Sequence, residues 1–191
     1  ISSGLSKWCG AGGWRIGSIT FPEELKHIKD MVRNVASETY TSVSAPIQFA
    51  AIKAYTEDHT QYLINSRKIL EIIANYIHQE LTEVKIKCQK PQGGFYMLCD
   101  FSNVIQKSNE ISDGQSLCNK ILKDTGFAML PGSDFGLQQE LFITRIAFVD
   151  FDGKKALELI RYKNLQSYDF LKTACPKIIE GIEKLKKWIK L

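Results

Sequence analysis

Ser2-Ser3-Gly4-Leu5-Ser6-Lys7-Trp8-Cys9-Gly10-Ala11-Gly12-Gly13-Trp14-Arg15-Ile16-Gly17 is the stretch whose reading decides the rest. It sets one lysine and one arginine eight residues apart, with Gly10, Ala11, Gly12 and Gly13 in the segment that joins them. The flexible backbone of such small residues lets two cations approach one anionic group closely. Taken alone, each half also has a plain reading: a solvated lysine in a loop, and a glycine turn entering a strand. The remainder of the chain has to decide between them.

The 191 residues allow one large domain, or one domain plus part of another. Apolar residues make up 44% and charged residues 24%, ordinary for a globular protein with a sizeable core. The net charge of +4 comes largely from the lysine-rich last helix and gives little support to nucleic-acid binding. No apolar run is long enough for a membrane span, and no basic region followed by an apolar core suggests a secretory signal. The expectation is no nucleic acid, no membrane and a cytoplasmic location. Cys9, Cys88, Cys99, Cys118 and Cys175 are scattered, with no Cys-x-x-Cys motif, so reduced thiols and no metal site are expected. Ile1 is not an initiator methionine, and the chain reads as the C-terminal part of a longer protein.

Residues 15–21 are rich in β-branched side chains and read as a strand. Pro22 with Glu23 and Glu24 then opens a helix, with Leu25, Ile28, Val32 and Val35 at helical spacing. Residues 36–45 are hydroxyl-rich and read as a loop, followed by a helix from Pro46 to about Tyr55. Asp58 is placed to cap a long helix to about Leu81, and a helix of this length can pass from one domain into the next. The expected boundary lies near Ile72, giving domains 1–72 and 73–191. In the second part, residues 84–88, 95–101, 127–130 and 141–149 read as strands. Helices are expected from Ser112 or Asp113 to Gly126, after Asp152, and from about Pro176 to Ile189. A short sheet covered by helices makes a small α/β unit.

Several of these segments, taken together, carry a resemblance. Leu5-Ser6-Lys7, five residues, then Gly13-Trp14-Arg15-Ile16-Gly17 resembles the cofactor-lysine motif of fold-type I pyridoxal-phosphate enzymes, specifically the class I/II aminotransferases. Pro46-Ile47-Gln48 is similar to that family's usual segment at this place. So are Gly93-Gly94-Phe95-Tyr96, Leu130-Pro131-Gly132-Ser133-Asp134-Phe135-Gly136 and Arg145-Ile146-Ala147-Phe148, in the same order and at similar spacing. The resemblance covers nearly the whole chain. It implies an α/β fold made of a C-terminal remnant of the large cofactor domain (1–72), a long linking helix, and a small C-terminal α/β domain (73–191) whose short sheet is covered by helices.

The resemblance also implies roles. Lys7 would form the Schiff base with pyridoxal 5'-phosphate and then act as general base, work that suits a lysine whose pKa burial can lower. Arg15 would bind the cofactor phosphate, and Arg145 the substrate α-carboxylate, each through the paired bonds of a planar fork. Phe95 would line the substrate space, although a core aromatic on a buried strand is an equal reading. The implied reaction moves an amino group from an L-amino acid to a 2-oxo acid, in a homodimer whose hydroxyl-rich loop, residues 36–45, is the candidate contact.

Two departures qualify the resemblance. Gly4 stands where the family often has a phosphate-binding serine, and residues 36–45 hold no arginine or lysine of the kind aspartate-specific relatives use. The latter argues against strict dicarboxylate specificity. The family's remaining cofactor contacts precede the lysine, so these residues alone are expected to be inactive and to expose apolar surface. A related lyase or synthase, or a non-catalytic truncated fragment, stands as the alternative.

Overall fold

The computed structural model describes residues 1–106, 108–162 and 166–190. It divides into two units, Ile1–Leu63 and Ile64–Leu191. The division falls inside one long helix, on the N-terminal side of Ile72.

In the first unit, β1 (Ser2–Gly4) runs antiparallel to β2 (Gly17–Ile19), with Ser3 opposite Ser18. The glycine at 17 keeps this ribbon close, since a Cβ there would sit 3.1 Å from the Ser3 carbonyl oxygen. Leu5 is fully buried, and with Ala11 it packs against Ala51 and Ala54 of α2 (Ala45–Thr56), surrounded by Trp8, Cys9, Trp14 and Ile16. Between β2 and α2 lies α1 (Lys26–Thr39), whose Ile28, Val32 and Val35 form the expected stripe but stay exposed within this chain.

α1 runs through residues 36–39, which composition marks as loop. The hydroxyls there bond back onto helix carbonyls: Ser37 Oγ to Asn34 O at 2.7 Å and Thr39 Oγ1 to Val35 O at 2.9 Å. Hydroxyl side chains used this way are compatible with a helix. The turn comes only at Tyr40 and Thr41, the latter at φ 59°.

α3 (Thr60–Glu83) begins where Asp58 accepts a bond from the Thr60 amide at 2.8 Å. Its buried Ile69, Ile73, Ile77 and Leu81 recur at helical spacing and enter the core of the second unit. The C-terminal end corrects the strand expected over residues 84–88. Lys85 takes a left-handed φ of 65°, its amide bonds Thr82 O, and the Ile86 amide bonds Leu81 O. This is a Schellman end, with Ile86 and Leu81 both buried as its hydrophobic closure. The alternation Val84, Ile86, Cys88 therefore describes a helix cap, and only β3 (Lys87–Cys88) is strand.

β3 edges a four-stranded sheet with β4 (Tyr96–Asp100), β5 (Leu130–Pro131) and β6 (Ile143–Ala147), in the order β3-β4-β6-β5 and antiparallel throughout. One face supplies Met97, Cys99, Thr144 and Ile146 to the core; the other carries Tyr96, Leu98, Arg145 and Ala147. The core is completed by α3, α4 (Gly114–Thr125), α5 (Gly153–Leu159), α6 (Ser167–Ala174) and α7 (Pro176–Ile189). Fully buried side chains such as Phe101, Ile121 and Leu185 each contribute about 2 kcal/mol by leaving water.

Helix ends here follow the residues. Asp113 and Ser116 form a reciprocal capping box on α4, and Gly126 closes it at φ 76°. Asp152 caps α5, and Pro176 opens α7. The α4 start is tied to the loop before β6: the Gly114 amide donates to Gln139 O, and Gln139 Nε2 donates to Asp113 Oδ2, both at 3.3 Å. A Cβ on Gly114 would lie 2.8 Å from Leu141 O.

Candidate active site

The loop carrying Lys7 is pinned on both flanks. Leu5 and Ala11 are buried, the Ala11 amide donates to Leu5 O at 3.1 Å, and the Gly10 amide to Lys7 O at 3.1 Å, with Gly10 at φ 66°. Lys7 is exposed on this folded turn. Arg15 follows a short 3-10 turn (Gly12–Trp14) and itself adopts φ 52°, a left-handed conformation uncommon outside glycine. Its Nη1 donates to Gly12 O at 3.2 Å. The glycine-rich segment thus doubles back on itself, with both cations on the surface of one unit.

Arg145 belongs to the second unit and sits mid-strand on β6, opposite Leu98 of β4 on one side and Leu130 of β5 on the other. Its guanidinium carbon lies 4.1 Å from the centre of the Tyr96 ring and 3.9 Å from that of Phe135. A cation between two ring faces is held by their quadrupoles, each contact adding about 0.5–1 kcal/mol. Phe135 arrives on the 3-10 turn Gly132–Phe135, which Gly136 closes at φ 84°. Nε of Arg145 is buried without a hydrogen-bond partner, and among the described residues no carboxylate pairs with this half-buried cation. Charges of this kind are costly unless something anionic meets them.

Strand parity separates Phe95 from its neighbour. Phe95, just ahead of β4, packs against the main core, while Tyr96 shares the Arg145 face. The rings of Phe95 and Tyr96 stand 4.5 Å apart. Tyr96 and Phe135 are the two side chains at this site that the sequence reading did not single out. Both lie inside quoted motifs, and the alternation of β4 was the available signal for the first.

A family model for aminotransferase class I and II matches residues 1–157. The chain belongs to this family. Within the class I and II aminotransferases, it is 29% identical over 162 residues to the aspartate aminotransferase of Bacillus subtilis, covering 84% of this chain and 40% of that protein. It is 28% identical over 156 residues to the valine–pyruvate aminotransferase of Mycobacterium tuberculosis, covering 80% and 37%. The fold is also that of a solved alanine aminotransferase from Pyrococcus furiosus, with a TM-score of 0.74 at 23% identity over 100% of this chain and 42% of that one. The chain therefore spans about two fifths of the length of these relatives. The mixed helix-and-strand architecture expected from the motifs is the family's own.

Proposed function

We propose that this chain is the C-terminal portion of a pyridoxal-phosphate-dependent aminotransferase acting on an L-amino acid and a 2-oxo acid, and that these residues alone do not turn over. The observation that carries the reading is Arg145, a half-buried guanidinium set between Tyr96 and Phe135 with no carboxylate paired to it among the described residues. An α-carboxylate is the planar anion that such a fork accepts in two parallel bonds. Held there by both bonds, a substrate carboxylate would take one fixed orientation.

The donor set of the first unit fits the cofactor chemically. An aldehyde takes a primary amine, and a phosphate takes a guanidinium beside small, closely approaching backbone; Lys7 and Arg15 on the glycine-rich turn supply these. When bound, pyridoxal 5'-phosphate supplies the electron sink for the pair left as an α-carbon bond breaks. Lys7 Nζ would hold the cofactor and then take and return the substrate α-proton, while Arg15 would anchor the phosphate. Phe95 enters this reading as support beneath Tyr96, behind the substrate space. Homodimerisation, a cytoplasmic location and the domain division near Ile72 belong to the same proposal. The loop at residues 40–44 still offers no cation for a side-chain carboxylate, so a donor other than a strict dicarboxylate is favoured.

The test uses the protein at the full length of its relatives. Borohydride reduction in the presence of pyridoxal 5'-phosphate, followed by peptide mapping, is expected to place a stable adduct on Lys7 and to lose it in Lys7→Ala. An adduct of undiminished yield in that variant refutes the assignment. Assay with amino donors and 2-oxo acids should give amino transfer; elimination or condensation without it would favour the lyase or synthase instead.

A further inference from the structure

Two thiols stand opposite each other at the edge of the sheet. Cys88 of β3 is the register partner of Cys99 of β4. Directly opposed residues of an antiparallel pair hold their Cα atoms about 4.5–5.5 Å apart. That lies inside the range of about 4.4–6.8 Å over which a disulfide closes without moving the backbone. Register partners also share a face, so both sulfurs leave the sheet on the same side. Both cysteines are free thiols in the structure.

Access to the two is unequal. Cys99 is fully buried, its thiol 4.0 Å from Met97 O. Cys88 is half-buried and lines an open groove with His78 and Thr82 of α3, Lys85 and Lys87 beside it, and Asp100 of β4. A hydrogen bond from the Cys99 thiol favours the Cys88 thiolate and lowers its pKa; burial opposes this, and the Thr82 hydroxyl assists. Cys99 is shifted up by the same pairing and by its burial. Thiolate character and exposure together set which cysteine reacts first. Cys118 and Cys175, by contrast, are buried, with thiols pushed up by that burial to about 12 and about 11.

We propose that Cys88 and Cys99 form a reversible thiol–disulfide site, with Cys88 the oxidised thiol and Cys99 the resolving one. The oxidant is a hydroperoxide. The Cys88 thiolate attacks its distal oxygen, the O–O bond breaks, and the departing alkoxide or hydroxide takes a proton from water; Cys88 is now a sulfenic acid. Cys99 sulfur then attacks the Cys88 sulfur, an S–S bond forms, and the sulfenic oxygen leaves as water with the thiol proton. Two thiols lose two electrons and the peroxide gains them. Exchange with a small thiol reverses the bond.

The experiment takes the full chain, fully reduced, with limiting hydrogen peroxide and no pyridoxal phosphate, so its outcome is independent of the transaminase reading. Two of the five thiols are expected to disappear, with a mass lower by two hydrogens, and dithiothreitol restores both. Chymotryptic cleavage after Phe95 and Tyr96 separates the two cysteines, and the peptides should be recovered joined through Cys88 and Cys99. Cys88→Ser is expected to slow thiol loss at least tenfold. Cys99→Ala should leave Cys88 as a sulfenic acid that dimedone traps. A bridge mapped to Cys9, Cys118 or Cys175 overturns the proposal, as does Cys88 passing to sulfinic acid without a bridge in the unaltered chain. That mapping needs no variant to fold.

Discussion

Arg145 has two kinds of neighbour, and they do separate work. Tyr96 and Phe135 hold the guanidinium against their rings, and its N–H fork is what an α-carboxylate would read on the proposed function. On the proposed function, Arg145→Lys in the full-length protein would remove one of the paired charge-assisted bonds and the flat guanidinium face. It is expected to raise KM and to lower kcat/KM for the amino donor about 10- to 100-fold. Tyr96→Leu leaves the charge in place and removes one ring, so KM should rise about 2- to 5-fold with kcat nearly unchanged. Steady-state kinetics on both variants check this, and unaltered constants for Arg145→Lys would remove it from the site. Lys7, Arg15 and Arg145 could be nominated from the sequence because they sit in ordered motifs. Tyr96 and Phe135 were not, because what joins them to Arg145 is cross-strand register and a turn, neither of which is local in sequence.

Among the elements, chemistry at the ends was the most readable part of the chain. Asp113, Gly126, Asp152 and Pro176 each mark a boundary found in the structure, because each acts through its own backbone neighbours. Where composition alone was used, tertiary structure overruled it: hydroxyl-rich residues 36–39 are helix, and residues 84–86 are a helix cap. The short helix α6 has no side-chain cap and no proline or glycine at its start, and it went unread. The α4 capping box gives a stability test. The Asp113 carboxyl is held below the usual carboxylate range, chiefly by the Ser116 backbone amide. A lowered value means stabilisation that is present above the unfolded pKa of about 4 and lost as pH falls through the folded one. Asp113→Ala should therefore cost about 1 kcal/mol at neutral pH, and less as the pH drops below about 4. Denaturant titrations at pH 7 and pH 3 that gave the same difference would show the charge to be irrelevant.

Across the molecule, burial is unevenly shared. The first unit buries a cluster of four residues, Leu5, Ala11, Ala51 and Ala54, whereas the second gathers its core from five helices and the sheet. Regions with few buried apolar contacts open at low free energy. Amide hydrogen exchange followed by mass spectrometry should find the slowest amides in β4, β6, α4, α7 and the C-terminal part of α3. β1, β2 and α1 should exchange far sooner, and uniform protection across both units would contradict this. The uneven weight of the two units was not legible in the sequence, because apolar residues on α1 look the same there whether covered or bare.

The start of α4 imposes a constraint that reaches Arg145. At Gly114 the absence of a side chain is what lets the helix come so close to the Leu141 carbonyl. The strand that begins two residues later is β6, whose third residue is Arg145. A methyl group added at Gly114 would act as a wedge, forcing apart the helix and the lead-in to that strand. Position 114, which has no part in the proposed site, is thereby held to glycine by the need to keep that strand's approach in place.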